Sequence, residues 1–145
     1  MPKPVYIICS LSGTQDTRTG LLSHFHVIEK LQITKLKADQ LKRVPPLAFR
    51  MVAVWMQTEE DKPEEDFEYE VAAIMPPAGK KIPGLHGTFR FSKPLHRITI
   101  DFLGQLPFEG PGVMDVECSI RKTGADHWLK QVYPIFVEQV PTSET

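Results

Sequence analysis

The polar and apolar positions of this sequence alternate with a period of two over several short segments. In RITIDF, residues 97–102, an apolar side chain occupies every second position, and residues 67–71, 88–91 and 114–118 alternate in the same way. A β-strand directs successive side chains to opposite faces, so this period is typical of a sheet with one buried and one solvated face. The pattern predicts a chain built mainly of β-strands.

About eight strands are predicted from these runs and from the turn residues that separate them. They are Val5–Leu11, Leu21–Ile33, Leu47–Thr58, Phe67–Met75, Gly87–Phe91, Arg97–Leu103, Val113–Arg121 and Leu129–Val137. Only Lys35–Arg43 could form a short helix. Many strands with no helices between them are typical of a β-sandwich or a small barrel. We prefer the sandwich, although the sequence leaves both open.

The expected fold is all-β, with one antiparallel β-sandwich domain of the immunoglobulin-like or C2-like type over residues 4–140 and a flexible tail over 141–145. A chain of 145 residues has the length of one domain. Its 41% hydrophobic and 24% charged residues are ordinary for a globular protein. The 13 prolines favour turns over long helices.

The charge balance and the cysteine count narrow the class of protein. There are 17 basic and 18 acidic residues, whereas a nucleic-acid-binding protein usually has a basic excess. No apolar run approaches the ~20 residues of a membrane-spanning helix, and no signal peptide is evident. Two cysteines do not make a disulfide framework. We therefore expect a cytoplasmic protein that has neither nucleic acid nor a membrane as its partner.

Several short segments carry a resemblance over nearly the whole chain. They are Ile7-Ile8-Cys9-Ser10, Gly20–Phe25, Met51–Trp55, Phe67–Pro77 and Leu106–Gly112. Their order and character resemble a family of small uncharacterised bacterial β-sandwich proteins. Ser10 departs from that pattern, which has an acidic residue there, and Val113-Met114 stands where an aromatic residue is usual. The resemblance implies a bacterial β-sandwich domain of unknown function, and it carries over no catalytic residue.

Residues 109–128, EGPGVMDVECSIRKTGADHW, bring together several side chains that can bind metals. Alternation directs Cys118 to one face of the strand and Asp115 and Glu117 to the other, so the three cannot converge on one ion without a bulge. A closed zinc site needs about four convergent ligands. We predict that Cys118 lies in the core and that the two carboxylates are solvated, with Arg97 or Arg121 as cross-strand partners.

Two groups of residues remain as candidate sites. His24 and His26, two positions apart on one strand, share a face and could ligate a metal if His86, His96 or a carboxylate supplied a third ligand. The alternative is an exposed or interfacial strand face. Asp126, His127 and Trp128 meet at the start of a strand, where Trp128 could stack on a sugar or anchor an interface. Its alternative role is to close the sandwich.

Local signatures of catalysis are missing from the sequence: it has no nucleophile elbow, phosphate-binding loop or dinucleotide fingerprint. We predict a non-enzymatic binding or protein-interaction module without a cofactor, whose partner is itself or another protein. A homodimer would form through the sheet of residues 21–33 and 47–58, which carry apolar side chains on both faces. The alternative is a metal-binding protein or metal-dependent enzyme centred on His24 and His26.

Overall fold

A computed structural model describes residues 1–15, 22–34, 48–102 and 106–140. These residues form nine strands and no helix. The strands are β1 (Lys3–Gln15), β2 (Leu22–Val27), β3 (Lys30–Thr34), β4 (Phe49–Met56), β5 (Phe67–Met75), β6 (Lys80–Phe89), β7 (Leu95–Phe102), β8 (Gly112–Lys122) and β9 (Leu129–Val140). The all-β prediction is confirmed for this part of the chain. The candidate helix Lys35–Arg43 and the tail 141–145 lie outside the described residues.

The strands are arranged in two sheets. A four-stranded sheet has the order β2-β1-β4-β7, and a five-stranded sheet has the order β3-β9-β8-β5-β6. All neighbours are antiparallel except β3 and β9, which run parallel, so the prediction of a wholly antiparallel structure is wrong for that pair. Over the described residues the strands do not close into one sheet, which removes the small barrel as an alternative.

The inner faces of both sheets contribute to one hydrophobic core. Met51 and Trp55 of β4 are fully buried, as are Val116 of β8 and Ile135 of β9, and all four belong to the same cluster of contacts. Burying apolar surface in this way is the main favourable contribution to folding, at roughly 25 cal/mol per Å². The two sheets therefore have a sandwich-like relation, stabilised by side chains that alternate toward the shared core.

Strand β8 shows the alternation most clearly. The fully buried positions are Met114, Val116, Cys118 and Ile120, and the half-buried positions between them are Asp115, Glu117, Ser119 and Arg121. Cys118 thus points into the core while Glu117 points out, as the sequence predicts. The side chains in this segment that could bind a metal therefore lie on opposite faces of β8.

Strand β4 is buried on both of its faces. Val52 and Val54 point away from the shared core, yet each is only 3% exposed. This explains the almost continuous apolar sequence FRMVAVWM, since a strand covered on both sides needs no polar face. The outer face of β4 is thus covered within the single chain and does not need a second subunit.

Two predicted strands differ from the structure. The predicted strand Leu21–Ile33 is two strands in different sheets, because the chain crosses between the sheets at Ile28, whose amide donates to the Cys9 carbonyl at 2.9 Å. The predicted strand Gly87–Phe91 begins earlier, at Lys80, because Pro83 and Gly84 form an irregularity inside β6 rather than a turn. A proline is tolerated there because β6 lies at the edge of its sheet.

A buried amide connects the two sheets. The Nε2 of Gln131, on β9, donates a hydrogen bond of 3.1 Å to the Val54 carbonyl of β4, and Gln131 is 8% exposed. A buried polar group is tolerated in a core when it has such a partner. Gln131 is therefore a directional contact in a core that is otherwise apolar.

We predict that Gln131→Met lowers the free energy of unfolding by about 1 kcal/mol, because the hydrogen bond is lost while the length of the side chain is kept. Urea denaturation followed by circular dichroism measures the change. Gln139→Met is the matched control, because Gln139 lies on the same strand but is exposed. Equal stabilities of the two variants would show that the amide contact contributes nothing.

Candidate functional site

Trp128 ends the connection between β8 and β9. The connection turns at Gly124, whose φ of +85° favours glycine, and the Ala125 amide donates to the Lys122 carbonyl at 2.9 Å. The Thr123 amide donates to the Asp66 carbonyl at 3.0 Å, which fixes the turn to the residue before β5. The half-buried indole of Trp128 then lies on the outer face of the five-stranded sheet.

The Trp128 ring packs against a guanidinium group. The Cζ of Arg121 lies 4.3 Å from the centroid of the indole, the geometry of a cation–π contact. The Nε of the same guanidinium also donates to the Oε2 of Glu68. The indole is thus positioned by a side chain that is itself held by a salt bridge.

Two adjacent depressions share Trp128 as a wall. The larger, of about 400 Å³, is lined by Trp128 and Arg121 together with residues 68–71 of β5 and 83–88 of β6. The smaller, of about 230 Å³, is lined by residues of β5, β6, β8 and β9, among them Glu70, Ser119 and Lys130. We call the two depressions and their lining residues the Trp128 site.

Three acid–base pairs line the Trp128 site. Arg121 pairs with Glu68, the Nζ of Lys81 lies 2.7 Å from the Oε1 of Glu70, and the Nζ of Lys130 lies 2.8 Å from the Oε1 of Glu117. Glu70 raises the pKa of Lys81 through a hydrogen bond and its charge. The three carboxylates and three cations cancel in formal charge.

The register of the strands produces these pairs. Glu68 lies directly opposite Arg121 in the pairing of β5 with β8, and opposite charges across strands stabilise a sheet. Glu117 pairs with Lys130 rather than with Arg97 or Arg121. The predicted partner Arg97 was wrong because it lies on β7, in the other sheet.

An irregularity in β6 shapes the rim of the larger depression. Glu70 pairs with His86 and Ala72 with Pro83, so two residues of β6, Gly84 and Leu85, face a single residue of β5. A Cβ on Gly84 would come within 2.7 Å of the Val71 carbonyl oxygen, which explains the glycine. The bulge leaves Leu85 56% exposed beside the depression.

One of the three residues predicted as a ligand site lines the two depressions. Trp128 lines both depressions, whereas Asp126 and His127 are exposed and are not among the residues that line them. Sequence reasoning missed Arg121, Glu68 and Glu70. Alternation alone places all three on a solvated face, but only the register of distant strands brings them beside Trp128.

The histidines considered as third metal ligands lie apart from His24. His24 is half-buried beside Tyr6, with ring centroids 6.0 Å apart, while the ring of His96 stacks on Phe89 at 4.1 Å. Burial lowers the pKa of His96. Strands β2 and β7 are opposite edges of the four-stranded sheet, so His96 cannot join His24 around one ion.

His86, the other histidine considered as a third ligand, lies on β6 of the other sheet. The side chain of His26 lies outside the described residues. Among the side chains that the structure describes, no group of three or more His, Cys, Asp or Glu could hold a metal ion.

Both cysteines are buried, free and poorly suited to nucleophilic chemistry. Cys9 and Cys118 have no exposed surface, and burial raises the pKa of each thiol to about 12. A contact with the Trp55 side chain acts in the opposite direction on the pKa of Cys118, but burial prevails. Because the thiolate is the reactive form, neither side chain is an activated nucleophile.

The comparisons with known proteins add no relative: no family model matches the sequence, and no curated protein matches it at a significant level. The resemblance to a bacterial family therefore stays a prediction. In the described part of the chain, no helix is long and apolar enough to span a membrane.

We predict that neither thiol reacts appreciably with Ellman's reagent in the native protein at pH 8. A pKa of about 12 leaves about one thiol in ten thousand ionised at that pH. Two thiols should react after denaturation. Thr123→Cys, in the exposed turn after β8, is the positive control and should add one rapidly reacting thiol to the native protein. A native thiol that reacts at the rate of this control would contradict the buried placement.

Proposed function

We propose that this chain is a non-enzymatic binding module, a β-sandwich of the immunoglobulin-like or C2-like type, whose ligand occupies the Trp128 site. The observation that carries the proposal is the half-buried Trp128, which lines two adjacent depressions beside three acid–base pairs. Concave sites with an aromatic wall and a few convergent polar groups are where small ligands commonly bind.

The chemistry of the described side chains supports binding rather than catalysis. Both thiols are buried and have raised pKa values, so neither supplies a nucleophile. The raised pKa of Lys81 keeps this lysine protonated at neutral pH, so it is a hydrogen-bond donor and not a base. Each carboxylate of the three pairs already faces a cation, an arrangement suited to recognition.

Cellular location and self-association are further parts of the proposal. Two free cysteines fit a reducing compartment, which supports a cytoplasmic location, while the proposal of a bacterial protein rests on the resemblance alone. Homodimerisation through the sheet of residues 21–33 and 47–58 also stays a proposal, and its support among the described residues is the exposed apolar side chains of Val27 and Met56, at the ends of β2 and β4. Sedimentation velocity of the purified chain would decide it.

We predict that a ligand moves the indole resonance of Trp128 in two-dimensional ¹H–¹⁵N spectra and leaves that of Trp55 in place, because Trp55 is fully buried in the core. The probes are panels of saccharides, nucleotides, amino acids and short peptides. At least one class should shift Trp128 and the amides of β5 and β8.

Trp128→Ala should weaken binding about tenfold, read from the amide shifts of β5 and β8. Leu95→Ala is the matched control because it removes an exposed apolar side chain from the other sheet. The amide spectrum of Trp128→Ala reports directly whether the variant is folded. If no panel perturbs Trp128, or if shifts occur only elsewhere, the proposed binding function is wrong.

A metal-binding protein centred on His24 and His26 is the second candidate, and one observation favours it. Both ring nitrogens of His24 are buried and have no hydrogen-bond partner among the described residues. A buried polar atom without a partner is costly, and a metal ion bound to one nitrogen would satisfy it.

We predict for this candidate that protein purified without a histidine tag carries about one equivalent of a transition metal, as one imidazole-based site requires. Elemental analysis by mass spectrometry measures it. His24→Ala should lose the metal, while His127→Ala, which removes an exposed histidine outside this strand, should retain it. A wild-type protein without stoichiometric metal would remove the candidate.

A further inference from the structure

We infer that the Trp128 site binds a neutral saccharide. The inference rests on the proposed binding function and adds the chemical class of the ligand. Three properties of the site lead to it: the cancellation of charge, the mixture of hydrogen-bond donors and acceptors, and the aromatic wall.

The charges around the site cancel locally. Glu68, Glu70 and Glu117 each lie against a cation that lines one of the two depressions, so the formal charges cancel over the Trp128 site as a whole. The smaller depression by itself has two carboxylates and two ammonium groups. The larger one has two carboxylates and Arg121, and the Lys81 that pairs with Glu70 lines the smaller depression. Sites that attract charged ligands are lined with one sign of charge, which focuses the field and attracts the opposite charge. This arrangement therefore favours an uncharged ligand over a charged one.

The hydrogen-bonding groups match hydroxyls better than they match ions. A carboxylate can only accept hydrogen bonds, whereas an ammonium or guanidinium group can only donate them. Glu117 and Lys130 stand 2.8 Å apart at the smaller depression, so a ligand there meets an acceptor and a donor side by side. A hydroxyl donates and accepts at once, and neighbouring hydroxyls on a sugar ring can satisfy both groups.

The indole supplies the apolar part of the recognition. Trp128 lines both depressions, and the Arg121 guanidinium covers one face of its ring, so the apolar C–H face of a pyranose would pack on the face that Arg121 leaves uncovered. The larger depression, at about 400 Å³, falls within the size range of small-molecule sites. Because the two adjacent depressions share Trp128, the site suits a saccharide of more than one ring.

A phosphorylated ligand fits less well. Lys81, Arg121 and Lys130 each already hold a carboxylate at hydrogen-bonding distance. A phosphate that took one of these cations would leave the displaced carboxylate beside a second anion, and like charges at that distance repel. A cationic peptide fits poorly for the same reason, because pairing with one of the carboxylates would leave the displaced cation beside a second cation.

The experiment compares glycans that keep the same rings and differ in charge. N,N′-diacetylchitobiose is neutral and its deacetylated form is cationic, while cellobiose is neutral and cellobiouronate, in which a carboxylate replaces one hydroxymethyl group, is anionic. We expect neutral members to shift the Trp128 indole resonance and charged members to bind at least about tenfold more weakly. Because the ligand is uncharged, its affinity should change little with salt, which screens exposed charges beyond about 10 Å at 0.1 M.

Variants then connect the preference to the named residues. Trp128→Ala should weaken saccharide binding about tenfold, the loss of one aromatic contact, and Trp128→Phe should recover part of it. Glu117→Lys gives the site two extra positive charges relative to the wild type and should turn the preference toward cellobiouronate. The double variant Glu117→Lys with Lys130→Glu restores neutrality and should restore the preference for cellobiose.

The outcomes separate this inference from the function on which it rests. Binding of neutral glycans at Trp128 with the expected charge dependence supports both. Nucleotides, peptides or charged glycans that shift Trp128 while neutral glycans do not would overturn the saccharide inference and leave the binding function standing. If nothing in any panel shifts Trp128, both fail.

Discussion

The pairing of β5 with β8 sets both the core and the Trp128 site. Side chains alternate along each strand, so one register places Val71 beside Cys118 in the core and Glu68 beside Arg121 on the outer face. A shift by one residue would exchange the two faces and bury charges without compensation. The apolar contacts of the inner face therefore hold the acid–base pairs of the outer face in position.

Much of the fold could be predicted from the sequence, because the face to which a side chain points is a local property. The bounds of β5, Phe67–Met75, and the inward direction of Cys118 both follow from alternation. The crossing at Ile28 could not be predicted, since residues 22–34 contain no glycine or proline that would mark a break between two strands. The bulge at Gly84 was missed because Pro-Gly reads as a turn, and only the pairing of β6 with β5 shows otherwise.

Less of the candidate site could be predicted, because its residues come from several strands that are distant in the sequence. Trp128 stands out as a tryptophan after a glycine turn, so it could be selected locally, but Asp126 and His127 were selected with it only by proximity in sequence. Arg121 and Glu68 are 53 positions apart and meet through sheet register. A site on the outer face of a sheet is formed by residues of several strands. The sequence of one strand does not show which residues of the other strands lie beside it.

The acid–base pairs of the outer face contribute little to the stability of the fold. Exposed salt bridges contribute only ~0–1 kcal/mol each to stability, far less than the burial of the inner face. The pairs Lys81–Glu70 and Lys130–Glu117 are therefore not needed to fold the chain, and removing both partners of a pair would cost little. What they do determine is the local balance of charge and hydrogen bonds beside Trp128. The inner positions of β5 and β8 thus fix the fold, while the outer positions of the same strands are free to set the chemistry of the surface beside Trp128.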